Sequence, residues 1–288
     1  MSLISGVMRA AKKARPVLER IASADDAAQR DGSIAVVAGQ PATAARFGDV
    51  IGVAPVEAPG SAGFAVYPTA ADGNVEPMVA GLSGHLADGG KGRALLVGTR
   101  GERRGLEYLL RASKLGVKST IQTPSLEGAG GDMAAQGLAR ALGDRRIAAG
   151  VQHPLLRPAV GDVIVASGAR RAGAVGAVPL PGADLPALVL VQIAMVNQLA
   201  TLYQHRTGAE RLIEAALVTG AAFGWRELAR AGASALPGAG WAVRGAVAYA
   251  STRALGEMAR LRFAERGELF PEEVDEAVHH ALARVTSS

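Results

Sequence analysis

The residues closest to a chemical motif follow a short apolar run. Gly39 comes just after Ser33–Ala38, and a glycine behind a strand is where a phosphate loop begins. That loop, GxxxxGK[ST], needs a second glycine, a Lys for the β- and γ-phosphates and a hydroxyl for magnesium. Counted from Gly39, those places hold Ala44, Ala45 and Arg46. Arg46 can touch an anion, but nothing there organises Mg²⁺. A second glycine cluster, Gly128-Ala129-Gly130-Gly131, offers backbone N–H groups to an anion at a helix start. Asp132 stands where the phosphate would sit and is expected to cap the helix itself, and Met133 holds the last glycine place of GxGxxG. The cluster therefore reads as a strand-to-helix turn. There is no HExxH, GxSxG or calcium loop. His85, His153 and His205 stand apart, and His279 and His280 point to different faces of one helix. No catalytic, cofactor-binding or metal-binding residue is assigned, and the expectation is a non-enzyme.

The elements that would position such groups divide the chain in three. Residues 1–32 form a helical arm. Leu3, Ile4, Val7, Met8, Ala11, Leu18 and Ile21 lie on one face, with Arg9, Lys12, Lys13 and Arg20 on the other. Such an arm suits an anionic membrane surface or a dock on its own protein, and Pro16 bends or restarts it. Residues 33–150 alternate in an α/β manner. Strands are expected at Ser33–Ala38, Gly63–Tyr67, Ala94–Gly98 and Val117–Gln122, and helices at Glu102–Leu115 and Asp132–Leu142. Strands alternating with helices imply a mainly parallel, layered sheet. Residues 151–288 carry no convincing strand. Helices are expected at about 154–175, 184–205, 208–231, 239–266 and 272–285, an all-α domain.

Within it, Leu185 to Gln204 carries no charge, a length that approaches the roughly 20 apolar residues of a bilayer span. Asp184 can cap this helix and Pro186 suits its first turn. Its Gln192, Asn197 and Gln198 speak for helix partners. Helix 208–231 places Gly220 and Gly224 at GxxxG spacing, which lets backbones approach in lipid, but its uncharged centre is too short to span. Arg244 and Arg253 interrupt helix 239–266, and each would cost about 2.5–3.5 kcal/mol at mid-bilayer. A multi-pass topology is disfavoured; one span, a shallow hairpin or a soluble bundle remain. Membrane or partner contact is expected at Leu188, Gln192, Met195, Asn197, Gly220, Gly224 and Trp241.

Composition narrows the class. Aromatics make up only 4% of 288 residues, while glycine occurs 37 times, so cores must be built from small aliphatic side chains and closely approaching helices. The absence of cysteine removes disulfides, thiolate metal sites and cysteine nucleophiles. The net charge of +5 is spread along the chain without stacking aromatics, which argues against nucleic acid. No secretory signal is recognised at the basic start.

Five segments in the helical half carry a family resemblance. They are His153-Pro-Leu-Leu-Arg157, Gly176-Ala-Val-Pro-Leu-Pro-Gly-Ala-Asp-Leu-Pro186, Gln192-Ile-Ala-Met-Val196, Leu236-Pro-Gly-Ala-Gly-Trp241 and Thr252-Arg-Ala-Leu-Gly-Glu257. In this order, over about residues 151–266, the chain resembles the YcjF-type bacterial domain family of unknown function. That family accompanies GTPases and is often described as membrane-bound, with no enzymatic activity attached to the domain. The resemblance implies that residues 33–150 are a degenerate P-loop GTPase-like domain. Thr99-Arg100-Gly101-Glu102 then looks like a weakened [NT]KxD element, and Thr123-Pro-Ser125 falls where a second base-contacting loop would be. Asp49-Val-Ile-Gly52 fits DxxG by letter but lies too close to Gly39. An unrelated α/β domain is the alternative.

The function expected from this is a non-catalytic scaffold or adaptor on the cytoplasmic side of the cell membrane, without cofactors. Its partners would be membrane lipid or a membrane protein, with a possible GTPase partner. The alternatives are a nucleotide-binding switch or hydrolase using an atypical site in 33–150, and a soluble, cytoplasmic homo-oligomer built on the helical domain.

Overall fold

The computed structural model describes residues 27–58, 60–68, 94–99, 120–177, 184–205 and 240–265. The expected helices at 102–115, 208–231 and 272–285 lie outside these residues, as does the arm up to residue 26. Packing separates Asp25–Val163 from the residues that begin at Ile164, and the division falls inside a helix.

In the first unit, the apolar runs become the strands β1 (Ile34–Val37), β3 (Phe64–Pro68) and β4 (Ala94–Thr99). β1 and β3 are buried along their whole length, which is why they read as continuous apolar runs and not as alternation. β5 (Thr120–Thr123) ends one residue beyond the expected Gln122, and Val117 to Ser119 lie outside the described residues. Two elements escape the sequence pattern. Helix α1 (Pro41–Ile51) starts on a proline, whose missing N–H is harmless in the first turn. It buries Ala44, Phe47, Gly48 and Ile51, and Gly52 caps it in the left-handed conformation with φ 72°. β2 (Pro55–Val56) is a two-residue edge strand, a place where a proline is tolerated.

The sheet runs β2-β1-β3-β4-β5 with every neighbouring pair parallel. Ile34 lies opposite Phe64, Val66 opposite Leu95 and Val97 opposite Ile121. The order 2-1-3-4-5 is one that open parallel α/β sheets adopt, with a switch point between β1 and β3. Helix α2 (Ala129–Ala141) covers β4 and β5 and touches α1, which covers β1, β2 and β3. α2 starts three residues before the expected Asp132, at a turn where Gly128 takes φ 50° and ψ −131°, a conformation open to glycine alone.

The helix expected from residue 154 is preceded by separate pieces. α3 (Arg146–Gln152) stops where His153, held extended ahead of a proline, breaks the helical path. A 3₁₀ turn, Pro154–Leu156, then leads into α4 (Arg157–Ala177). α5 (Asp184–Leu202) and α6 (Gly240–Ala264) follow within the bounds expected for them. Ala172 of α4, Leu188 and Val191 of α5 and Ala248 of α6 form one apolar cluster.

α4 and α6 meet through missing side chains. A Cβ on Gly173 would stand 3.2 Å from the Gly245 carbonyl oxygen, and one on Gly245 3.0 Å from that of Gly173. At this spacing both backbones stand in contact, and no side chain fits between them. Replacing Gly245 by Val should therefore destabilise the protein by roughly 1–3 kcal/mol as an overpacking strain. The adjacent exposed Ala246→Val should stay near neutral, and thermal melts of the two variants decide whether the contact is as tight as described.

Candidate functional site at the C-terminal edge of the sheet

Open parallel α/β sheets take ligands outside the carboxyl ends of their strands, at the switch point. Here that edge holds the β1–α1 and β5–α2 loops. Only Ala38, Gly39 and Gln40 separate β1 from α1. The Ala38 N–H donates to the Val56 carbonyl at 2.8 Å, and the Gly39 N–H to that of Val37 at 3.0 Å. Gln40 is the N-cap residue. Its carbonyl accepts from the Ala44 N–H at 2.9 Å and its side-chain oxygen from the Thr43 hydroxyl at 3.2 Å. Ala44, Ala45 and Arg46, at the phosphate-loop places, are inside α1, and Ala44 is fully buried. The chain turns helical before a loop could wrap a phosphate.

The second loop is tied to itself. Thr123, buried at the end of β5, shares its hydroxyl proton between the carbonyls of Ser125 and Gly130, 2.7 and 2.6 Å away. The Ser125 hydroxyl donates to the Glu127 carbonyl at 3.0 Å and accepts from the Glu127 N–H at 3.4 Å. Gly130 and Gly131 also donate their N–H groups to Glu127, and Asp132 donates its own to Gly128. Asp132 is not the cap expected of it. The N-cap residue is Gly128, without a side-chain cap, and Asp132 sits in the first turn, where a carboxylate suits the helix dipole. Arg46 of α1 pairs with Glu127 at 3.6 Å across the edge, and both side chains are exposed. Such a surface pair is worth about 0–1 kcal/mol. Among the described residues, the hydroxyls of Thr123 and Ser125 thus hold the β5–α2 loop in place, and the Arg46–Glu127 pair adds little.

A second polar group stands at the opposite edge. Asp31 accepts from both the backbone N–H and the hydroxyl of Ser33, which holds its carboxyl below the usual carboxylate range, with help from the Arg145 charge. The Ser33 hydroxyl accepts from the Gly63 N–H at 2.8 Å, and Arg145 donates to the Gly63 carbonyl. This clasp joins the starts of β1 and β3 to the turn after α2. Nearby, the half-buried His153 bonds the Gly32 backbone, while its Nε2 is buried with no hydrogen-bond partner among the described residues. Burial lowers its pKa below 6.5 and outweighs the opposing bond to Gly32.

The residues expected to meet membrane or partner are distributed differently. Leu188, Gln192 and Met195 are buried within their own unit. The Gln192 amide donates to the Thr252 hydroxyl of α6 at 3.1 Å, and Met195 packs where Gly168 of α4 and Gly256 of α6 leave room. Asn197 is half-buried, and its carbonyl accepts from the Thr201 hydroxyl at 3.0 Å. Trp241 is 56% exposed at the start of α6. Gly220 and Gly224 lie outside the described residues. Within α5, from Ala187 to Leu202, no side chain is exposed. His205, just beyond it, stacks on Phe263 and bonds that residue's carbonyl at 3.1 Å, so its Nε2 is the donor. Among the described residues no helix is long and apolar enough to cross a membrane, and no three acidic, His or Cys side chains gather for a metal. Thr99 ends β4, and Arg100 to Glu102 are outside the described residues.

Residues 133–259 match the family model described as Domain of unknown function (DUF697). No curated protein and no solved structure matches the chain. The matched stretch runs from α2 into α6, so the similarity to DUF697 covers the helical region.

His153 gives the fold a pH dependence of known sign. Its folded pKa lies below its unfolded value, so the unfolded chain binds the extra proton first and stability rises with pH across that interval. The contribution is complete above pH 6.5 and is lost as pH falls through the lowered folded value. Urea melts between pH 5 and 8 should show this slope, and His153→Gln should flatten it. An unchanged slope in the variant would assign it to other groups.

Proposed function

We propose that the chain is a non-catalytic scaffold or adaptor, associated peripherally with the inner face of the bacterial membrane. Its α/β half is read as a GTPase-like domain that has lost its phosphate loop, and its helical half as a docking module of the YcjF type. The observation that carries the non-catalytic part is the engagement of the ligand edge with itself. Thr123 and Ser125 bond the loop backbone, Arg46 pairs with Glu127, and the β1–α1 loop is three residues long. A ligand would have to displace these bonds before making its own. Peripheral rather than integral attachment is supported by α5, whose buried Gln192 is bonded to Thr252 of α6 and not offered to lipid. A partner on the membrane, a GTPase among the candidates, fits an adaptor of this build.

One observation favours a different reading. The strand order 2-1-3-4-5 puts a switch point beside Gly39, where a nucleotide-binding switch or hydrolase would have its site. Titration calorimetry with GTP, GDP and ATP, with and without Mg²⁺, separates the two. The adaptor gives no heat at millimolar nucleotide, and saturable heat with any of them replaces it by the switch.

Membrane association is tested separately by fractionation. The protein should pellet with membranes and be released by an alkaline carbonate wash. Retention through the wash would mean an integral anchor, and absence from the membrane pellet would remove the membrane part of the proposal.

A further inference from the structure

α6 has two faces of opposite fate. Gly245, Ala248, Thr252, Gly256, Ala259 and Phe263 are buried in the helical unit. On the other side, Ala246, Ala250, Ala254, Met258 and Leu261 are exposed, Met258 by 50% and Leu261 by 54%. Their spacing of four, four, four and three residues lays them in one stripe, about 22 Å long at the helical rise. Arginines border it on both flanks. Arg253 and Arg260 stand on one side, each bonded to Glu257 at 3.4 and 2.9 Å, and Arg244 and Arg262 on the other. The helix carries four arginines against one glutamate.

We infer that this outward face of α6 is the surface with which the protein docks on an anionic phospholipid membrane, an inference that rests on the proposed membrane association. The stripe is shallow, three alanines with two longer side chains, and suits insertion to the level of the headgroup–acyl boundary. Arginine stems extend along apolar surface while their guanidinium groups reach lipid phosphates, which they bind in a bidentate manner. Charge selects this occupant over a second copy of the chain. Two α6 helices laid stripe to stripe would bring together faces that each carry four arginines against one glutamate, whereas an anionic bilayer complements that excess.

The test is cosedimentation of the full chain with phosphatidylcholine vesicles and with vesicles containing equal phosphatidylcholine and phosphatidylglycerol. Binding is expected only to the anionic vesicles and should weaken with salt. Met258→Glu with Leu261→Glu should reduce it at least tenfold. Arg244→Gln with Arg262→Gln should reduce it roughly 10- to 30-fold, as expected for two arginines at an anionic surface. Met133→Glu, on the exposed side of α2, should leave it unchanged, and circular dichroism checks that each variant keeps its helix content. If the wild type binds anionic vesicles and both α6 variants bind equally well, lipid contact lies elsewhere in the chain and this inference falls while membrane association stands. If the wild type binds neither vesicle, both fall. A dimer in light scattering that Met258→Glu with Leu261→Glu abolishes would give the stripe to a second copy.

Discussion

Close approach of backbones is the constraint on which the rest depends. A chain with 4% aromatic residues has few large side chains with which to fill a core, so its elements gain dispersion contact by moving together. At Gly173 and Gly245 the approach is limited by backbone atoms themselves. Around that point the other small residues fall into place. Gly176 faces Ala248, and Gly168 and Gly256 receive Met195, whose flexible thioether fills what two glycines leave open. The glycine abundance read from composition is thus a packing device in the helical unit, in contrast to the turn at Gly128, where it is conformational.

Packing by small residues leaves little to fix the register of one helix against another, because alanine and glycine ridges look alike at several offsets. The Gln192–Thr252 bond supplies what the apolar contacts lack. It pairs one position of α5 with one position of α6, and a shift by a turn would bury an amide and a hydroxyl without partners. His205 repeats the device at the far end of α5 through Phe263.

The sequence disclosed what periodicity can disclose. β1, β3 and β4 were legible because they are apolar throughout, and α5 and α6 because they are long. α1 is hard to read although Ala44, Phe47 and Ile51 have helical spacing, because the run opens on a proline behind a strand and Gly39, where a loop is equally expected. β2 has two residues, one a proline, and no pattern that short is distinctive. The start of α2 was missed because Asp132 has the type of a cap, while the cap position is set by the backbone of Gly128. The candidate edge was legible by its residues but not by their engagement. That Thr123 closes on Gly130, or that Arg46 meets Glu127, depends on loop paths that spacing does not contain.

The contrast between α5 and α6 bears on how apolar helices are read. α5 is the longer uncharged stretch, and by hydropathy alone it is the helix that asks for lipid. Yet none of its described side chains is exposed, and its buried Gln192 finds its partner in Thr252 of α6. α6, broken by four arginines, looks the less suited of the two, but it keeps an apolar stripe exposed after its other face is packed. Burial within a unit consumes the most apolar element first, since that is where the largest transfer free energy lies. What remains for an external surface is the second-best face, marked by charges at its margins and not by their absence. In a chain of this composition, a stripe bordered by arginines is therefore stronger evidence of a docking surface than an uninterrupted apolar run.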